Sequence, residues 1–175
     1  MNAKTIAGLV VLGALLLVGL SGFYVIDERQ QAIVVKFGNP QRTVTAPGLH
    51  FKLPFLEQVI FLEKRILSLD VPPQEVLASD QRRILVDSFA RYRIADPLKR
   101  YQAARTEVGA ARLLEDAMES TVRQVLAKEP MNEIVSGQRA ELMKKISDLT
   151  NQRALTFGLE VVDVRLKRVD LPQEN

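Results

Sequence analysis

From Thr5 to Ile26 the chain carries no charged residue: TIAGLVVLGALLLVGLSGFYVI. Coiled as one helix, those 22 positions span about 33 Å, which matches a hydrocarbon core of about 30 Å. The reading is a single transmembrane anchor over residues 5–26, after a short flank at residues 1–4. Phe23 and Tyr24 fall at its end, where aromatic rings favour the membrane–water interface. Asp27, Glu28 and Arg29 then close the segment. A cleaved signal peptide is the competing reading, because Gly19-Leu20-Ser21 offers small residues two apart. Against it, the apolar run exceeds the roughly 7–15 residues of a signal core and only Lys4 precedes it. Charge does not orient the segment, since Lys4 and the amino terminus are balanced by Arg29, Lys36 and Arg42.

Without that tail, about 150 residues remain, the size of one ordinary domain. The 24 basic and 21 acidic side chains are interleaved, as in LEKRILSLD and DVRLKRVD, so no stripe for nucleic acid stands out. The chain has no cysteine, which excludes thiol catalysis, cysteine-type zinc sites and disulfides. Its single histidine, His50, cannot supply a zinc set. A hydrolase would have to pair His50 with a serine or threonine, and no G-x-S-x-G elbow is present. His50 therefore reads as structural, with a membrane-tethered hydrolase as the enzymatic alternative. Neither a catalytic residue, a cofactor nor a metal is expected. Arg82, Arg83, Arg91 and Arg93 read as a solvated sheet face or edge.

Residues 27–95 read as mainly strand. Ala32–Phe37 leads into a turn at Gly38-Asn39-Pro40. Val59–Leu62 and Ile66–Val71 follow, the latter ended by Pro72-Pro73. In RRILVDSFARYRIADP, Ile84, Val86, Ser88, Ala90, Tyr92 and Ile94 alternate onto the expected core face. Residues 96–172 read as helices and a last strand. Asp96-Pro97 opens a short helix, Leu98–Ala104, with Leu98 and Tyr101 inward. A second, Ala110–Ala127, stacks Leu114, Met118, Val122 and Val125, and Glu129-Pro130 ends it. A third, Ser136–Phe157, stacks Leu142, Ile146 and Leu149, with Gly158 as its cap. The final strand, Glu160–Val169, places Val162, Val164 and Leu166 on one face. This order gives an α+β fold, helices covering an antiparallel sheet.

The stretch APGLHFKLPFLEQVIF interrupts apolar residues with turn formers. Pro47-Gly48 suits the centre of a type II turn, and Pro54 blocks a regular ladder. Leu49, Phe51, Leu53 and Phe55 alternate with His50, Lys52 and Pro54, making one apolar edge. These side chains either fill the core or, about 20 residues beyond the anchor, dip into the same bilayer while Lys52 snorkels to the headgroups. The candidate membrane contacts are Phe23, Tyr24, Phe51, Leu53 and Phe55.

F-G-x-P at Phe37–Pro40, followed by P-G-L-H-F-K-L-P-F at Pro47–Phe55, resembles the start of the SPFH or Band 7 domain. That family includes stomatin, prohibitin, flotillin and the bacterial HflK and HflC proteins. DERQQAIVVKFG, ILVDSFARYRIADPLKRY and FGLEVVDVRLKRVDLP resemble its HflC-type members, over nearly the whole chain from Ile6. The resemblance implies a non-enzymatic scaffold held by one N-terminal helix in the bacterial inner membrane, its domain in the periplasm. Such proteins alternate with an HflK-like subunit in a large hetero-oligomeric ring or cage around FtsH, a membrane ATP-dependent protease, and modulate its proteolysis. A stomatin-like scaffold serving another membrane protease or a channel is the alternative. Family members continue past this point into a long coiled coil, so residues 173–175 are expected to begin that region.

Overall fold

Strand pairing decides how this chain divides. The computed structural model describes residues 12–13, 16–134 and 139–170, grouped into two units, Met1–Lys64 and Arg65–Asn175. The division falls at Lys64. The last strand falls in the second unit with the helices because it pairs with the long strand that precedes them. All strand pairs among the described residues are antiparallel, and with the helices they make the α+β fold.

In the first unit, β1 (Phe23–Ile26) pairs with β4 (Gly48–Phe51) as a two-stranded ribbon. A second sheet has the order β3-β2-β5, with β2 (Gln30–Lys36) between β3 (Asn39–Val44) and β5 (Glu57–Glu63). Gln31 to Val35 are buried without a break, as a central strand covered on both faces requires. Pro40 lies on the edge strand β3, where its missing N–H costs no central ladder bond.

Residues 5–11 and 14–15 of the expected anchor lie outside the described residues. Residues 16–20 are helical, and Ser21 N–H still reaches the Leu17 carbonyl at 3.1 Å. Where one helix was expected to continue to Ile26, Phe23–Ile26 is strand β1. Apolarity alone does not separate helix from strand. Here aromatic and β-branched side chains have a partner strand to pair with. No helix among the described residues is long and apolar enough to cross a membrane.

The second unit has a three-stranded sheet in the order β6-β7-β8: β6 (Leu67–Leu77), β7 (Arg83–Ile94) and β8 (Leu159–Asp170). β6 runs through Pro72-Pro73, which the sequence reading made its end. The prolines sit in a register shift between Val71 and Gln74 on an edge strand, where they are tolerated. On β7, Ile84, Val86, Ser88, Ala90, Tyr92 and Ile94 are all buried, as the alternation required.

Helix α1 (Pro97–Ala103) is capped by Asp96, whose carboxylate accepts from Leu98 N–H at 3.0 Å and Lys99 N–H at 3.1 Å. Its buried stripe is Pro97, Arg100 and Tyr101, so Leu98, expected inward, is exposed. Positions i, i+3 and i+4 share a face and Leu98 lies off it. Burial pulls the Arg100 guanidinium below its ordinary pKa, opposed by the charge of Glu107. Helix α2 (Glu107–Leu126) starts earlier than the apolar spacing indicated, because Thr106 Oγ1 accepts from Gly109 N–H at 3.1 Å and caps it. Helix α3 is described over Arg139–Ala154; the expected start at Ser136 lies outside the described residues. Gly158 closes the following turn with φ +79°.

β8 departs from strict alternation. Tyr92 pairs with Val161 but Arg91 pairs with Asp163, so a bulge inserts one residue. Parity flips there: Val161 and Val164 are buried and Val162 is exposed. Asn151 of α3 accepts the Val161 N–H at 2.9 Å, partnering the amide where the ladder slips. Val164→Ala should therefore cost about 2 kcal/mol in equilibrium urea unfolding. Val162→Ala should stay within about 0.5 kcal/mol. Equal losses would mean that β8 pairs without the bulge.

Candidate membrane-contact site

The ribbon and the loop after it are built around one close approach. Lys52 N–H donates to the Gly22 carbonyl at 2.8 Å. A Cβ at Gly22 would lie 2.7 Å from the Lys52 carbonyl and collide with the Phe51 ring. Glycine is needed because the helical turn ending the apolar segment is pressed against the start of the β4–β5 loop.

The β1–β4 register sorts the aromatic residues by face. Phe23 pairs with Phe51 and Val25 with Leu49. These four are exposed, at 50%, 47%, 65% and 66% respectively. The Phe23 and Phe51 rings meet edge to face at 5.4 Å. Tyr24 and His50 pair on the opposite face, their ring centroids 5.7 Å apart, and the Tyr24 ring also meets Phe61 at 6.4 Å. Tyr24, expected beside Phe23, therefore points away from it. His50 Nε2 lies 2.9 Å from the Ala46 carbonyl. A carbonyl only accepts, so Nε2 carries the proton and the ring braces the chain ahead of β4. Among the described residues no group of three His, Asp or Glu side chains is arranged to hold a metal.

Leu53 and Phe55 do not continue the ribbon's apolar edge. β4 stops at Phe51, and Leu53–Leu56 turn the chain into β5, with Phe55 at φ +65°. The expected single edge is thus two surfaces, the ribbon face and a loop tip. Pro54 lies in that turn, and Gly48 opens β4 with φ +121°. Phe55 is 89% exposed, and Leu53 and Leu56 are exposed beside it.

Glu57 holds this loop. Its carboxylate accepts the Leu53 N–H at 2.9 Å and lies 3.4 Å from Arg42 Nη2. The same Arg42 nitrogen donates to the Phe51 carbonyl at 2.6 Å, and Glu57 N–H donates to the Leu53 carbonyl at 3.0 Å. The Glu57 side chain is largely buried whereas Arg42 is half exposed. The ion pair itself contributes at most about 1 kcal/mol; the larger effect is that loop amides and carbonyls are satisfied in one conformation.

Two exposed apolar residues of this unit do not stand out as site candidates in the sequence: Val25 and Phe37. In the sequence alone Phe37 falls at the end of β2, because Gly38-Asn39-Pro40 reads as the turn. The turn is instead Phe37-Gly38, both at positive φ, +50° and +81°, the type I′ pattern that suits a right-twisted hairpin. The legible signal was the aromatic directly before glycine, since a tip residue has no core to enter.

Replacing Glu57 by Ala should release the Leu53 amide. Loss of a hydrogen bond worth about 1–2 kcal/mol corresponds to roughly 5–30-fold faster amide exchange at Leu53, with β7 unchanged. Glu57→Gln, which keeps an acceptor, should retain most of the protection. Unaltered exchange in Glu57→Ala would show that the carboxylate does not hold the loop.

Comparison with known proteins places this geometry in a family. The SPFH domain / Band 7 family profile matches residues 24–175. Among curated relatives, Protein HflC of Buchnera aphidicola (subsp. Schizaphis graminum) is 31% identical over 94% of this chain and 61% of its own length. Protein HflC of Haemophilus influenzae is 32% identical over 88% of this chain and 56% of its own. An uncharacterized protein of Archaeoglobus fulgidus is 29% identical over 95% of the chain and 64% of its own. The chain thus spans about three fifths of the length of such relatives. It carries the Phe37-Gly38 hairpin, the Pro47–Phe55 stretch and the paired strands within the matched region, and it belongs to the SPFH domain / Band 7 family.

Proposed function

We propose that this chain is a non-enzymatic, membrane-anchored scaffold subunit of the HflC type. It assembles with an HflK-like subunit into a ring or cage around an FtsH-like ATP-dependent protease of the bacterial inner membrane and modulates its proteolysis. The apolar segment from Thr5 anchors it, and the folded part lies on the periplasmic side. Family membership and the likeness to proteins named HflC support the scaffold reading.

The observation that carries the membrane reading is the junction at Gly22. Within the uncharged segment the helix ends at Leu20, two residues before a glycine hydrogen-bonded to Lys52. If that segment is in lipid, the Phe51–Phe55 stretch starts where the chain leaves it. Phe51, Leu53 and Phe55 are exposed, which speaks against their filling the core. Taking their exposed parts out of water contributes about 3–5 kcal/mol, at 1.5–3 kcal/mol per fully buried large side chain. Phe23, and with it Val25 and Leu49, extends the same contact along the ribbon.

Two measurements test this on the intact chain, which keeps β1 in place as the partner of β4. The protein isolated from native membranes in mild detergent should bring an HflK-like subunit and an FtsH-like protease with it; their absence from repeated isolations would sink the scaffold reading. The native sequence has no cysteine, so Ser79→Cys supplies a single exposed thiol. An impermeant maleimide should label it in cells with an intact inner membrane. Labelling only after that membrane is broken would reverse the orientation.

A further inference from the structure

The sheet register brings a second apolar tip beside the first. Lys36, the last residue of β2, pairs with Asn39 across the hairpin and with Glu57 on its other side. The Phe37-Gly38 turn and the Leu53–Leu56 turn therefore leave the same end of the β3-β2-β5 sheet. Phe37 is 81% exposed. Phe37 and Phe55 share an uncommon feature: each is a bulky residue in the left-handed region, where L-residues other than glycine are disfavoured. Strain of that kind, held at two neighbouring exposed aromatics, points toward contact with something outside the chain.

Charge says what that something is. Lys36 and Lys52 flank the tips, and neither side chain has a hydrogen-bond or ion-pair partner among the described residues. With Arg42 they set three cations against the one carboxylate of Glu57 at this end. Asp27 and Glu28 precede β2, and Glu63 pairs with Gln30 at its start. That is six residues from the Lys36–Glu57 pair, about 20 Å along a strand and beyond the roughly 8 Å over which charges act at physiological salt. At that other end the carboxylates are accompanied by Arg29 and Lys64, whose backbones pair at 2.9 Å, so the excess of positive charge lies at the end that carries the apolar tips.

We propose that Phe37 and Phe55, with Lys36 and Lys52, dock this end of the sheet onto an anionic phospholipid surface. The aromatic rings enter at headgroup depth, and the lysine stems lie along apolar surface while their ammonium groups meet lipid phosphates. This rests on the membrane-contact reading above and adds a second tip and a preference for anionic lipid.

The chain contains no tryptophan, so Phe37→Trp and Phe55→Trp each introduce one reporter. The full chain carrying either substitution is reconstituted into vesicles of brominated phosphatidylcholine, alone or mixed with brominated phosphatidylglycerol, and quenching is measured. Both reporters should be quenched more strongly in the mixed vesicles. Two lysines near an anionic surface should shift the docked-to-undocked ratio by roughly 30-fold, so adding Lys36→Gln and Lys52→Gln should remove the difference. Salt at 1 M, which shortens the screening length to about 3 Å, should do the same with both lysines intact. Equal quenching in the two compositions overturns the anionic preference and leaves membrane contact standing. Quenching of the Phe55→Trp reporter alone overturns the role of Phe37. Bromine quenching of neither reporter, in either composition, overturns the membrane reading itself.

Discussion

The first unit depends on a backbone contact that only glycine permits. The Gly22 carbonyl takes the Lys52 amide, and the Phe51 ring fills the space a side chain would need. Once that contact forms, the next four residues lie against β4, and their alternation is set. Phe23 and Val25 join Phe51 and Leu49 on the open face, while Ile26 is buried on the other. The same contact fixes where the β4–β5 loop begins, which Glu57 and Arg42 then hold. An apolar segment, a ribbon and a loop tip are thereby linked through one hydrogen bond and one missing Cβ.

The two exposed phenylalanines in left-handed backbone follow from this arrangement in different ways. Phe37 is placed by hairpin geometry, because the type I′ turn that joins these strands has positive φ at both positions. Phe55 is placed by loop closure between the end of β4 and the Leu53–Glu57 hydrogen bonds. In both cases the surrounding bonds impose a conformation the residue disfavours locally. A smaller or more permissive residue would relieve that cost, so the aromatic rings are explained by their exposure and not by turn chemistry.

In the second unit the bulges on β8 play a comparable part. Strict alternation would have buried Val162, but the slip opposite Arg91 and Tyr92 buries Val161 and Val164 instead. The cost of an interrupted ladder is reduced because Asn151 on α3 accepts the Val161 amide. Helix and strand are thus matched at the point of irregularity.

What the sequence determined by itself was local and periodic. The β7 core face, the Leu114–Val125 stripe, the Asp96-Pro97 helix start and the Gly158 cap could be read directly, because each depends on residues within one turn or one strand. For the stretch Pro47–Phe55 the sequence left two readings open, core and membrane contact; that Phe51, Leu53 and Phe55 are exposed is decided by the structure. What only the tertiary structure decided were the relations between segments. The change from helix to strand at Phe23, the turning away of Tyr24, the parity flip at Val162 and the boundary at Lys64 all depend on which strand pairs with which, and in what register. A period-two pattern names two faces but cannot say where an extra residue exchanges them, since that is settled by hydrogen bonds to a partner strand or to Asn151. The nearness of Phe37 to Phe55 has the same origin: residues 18 apart in sequence share one end of a sheet because Lys36 pairs with Glu57.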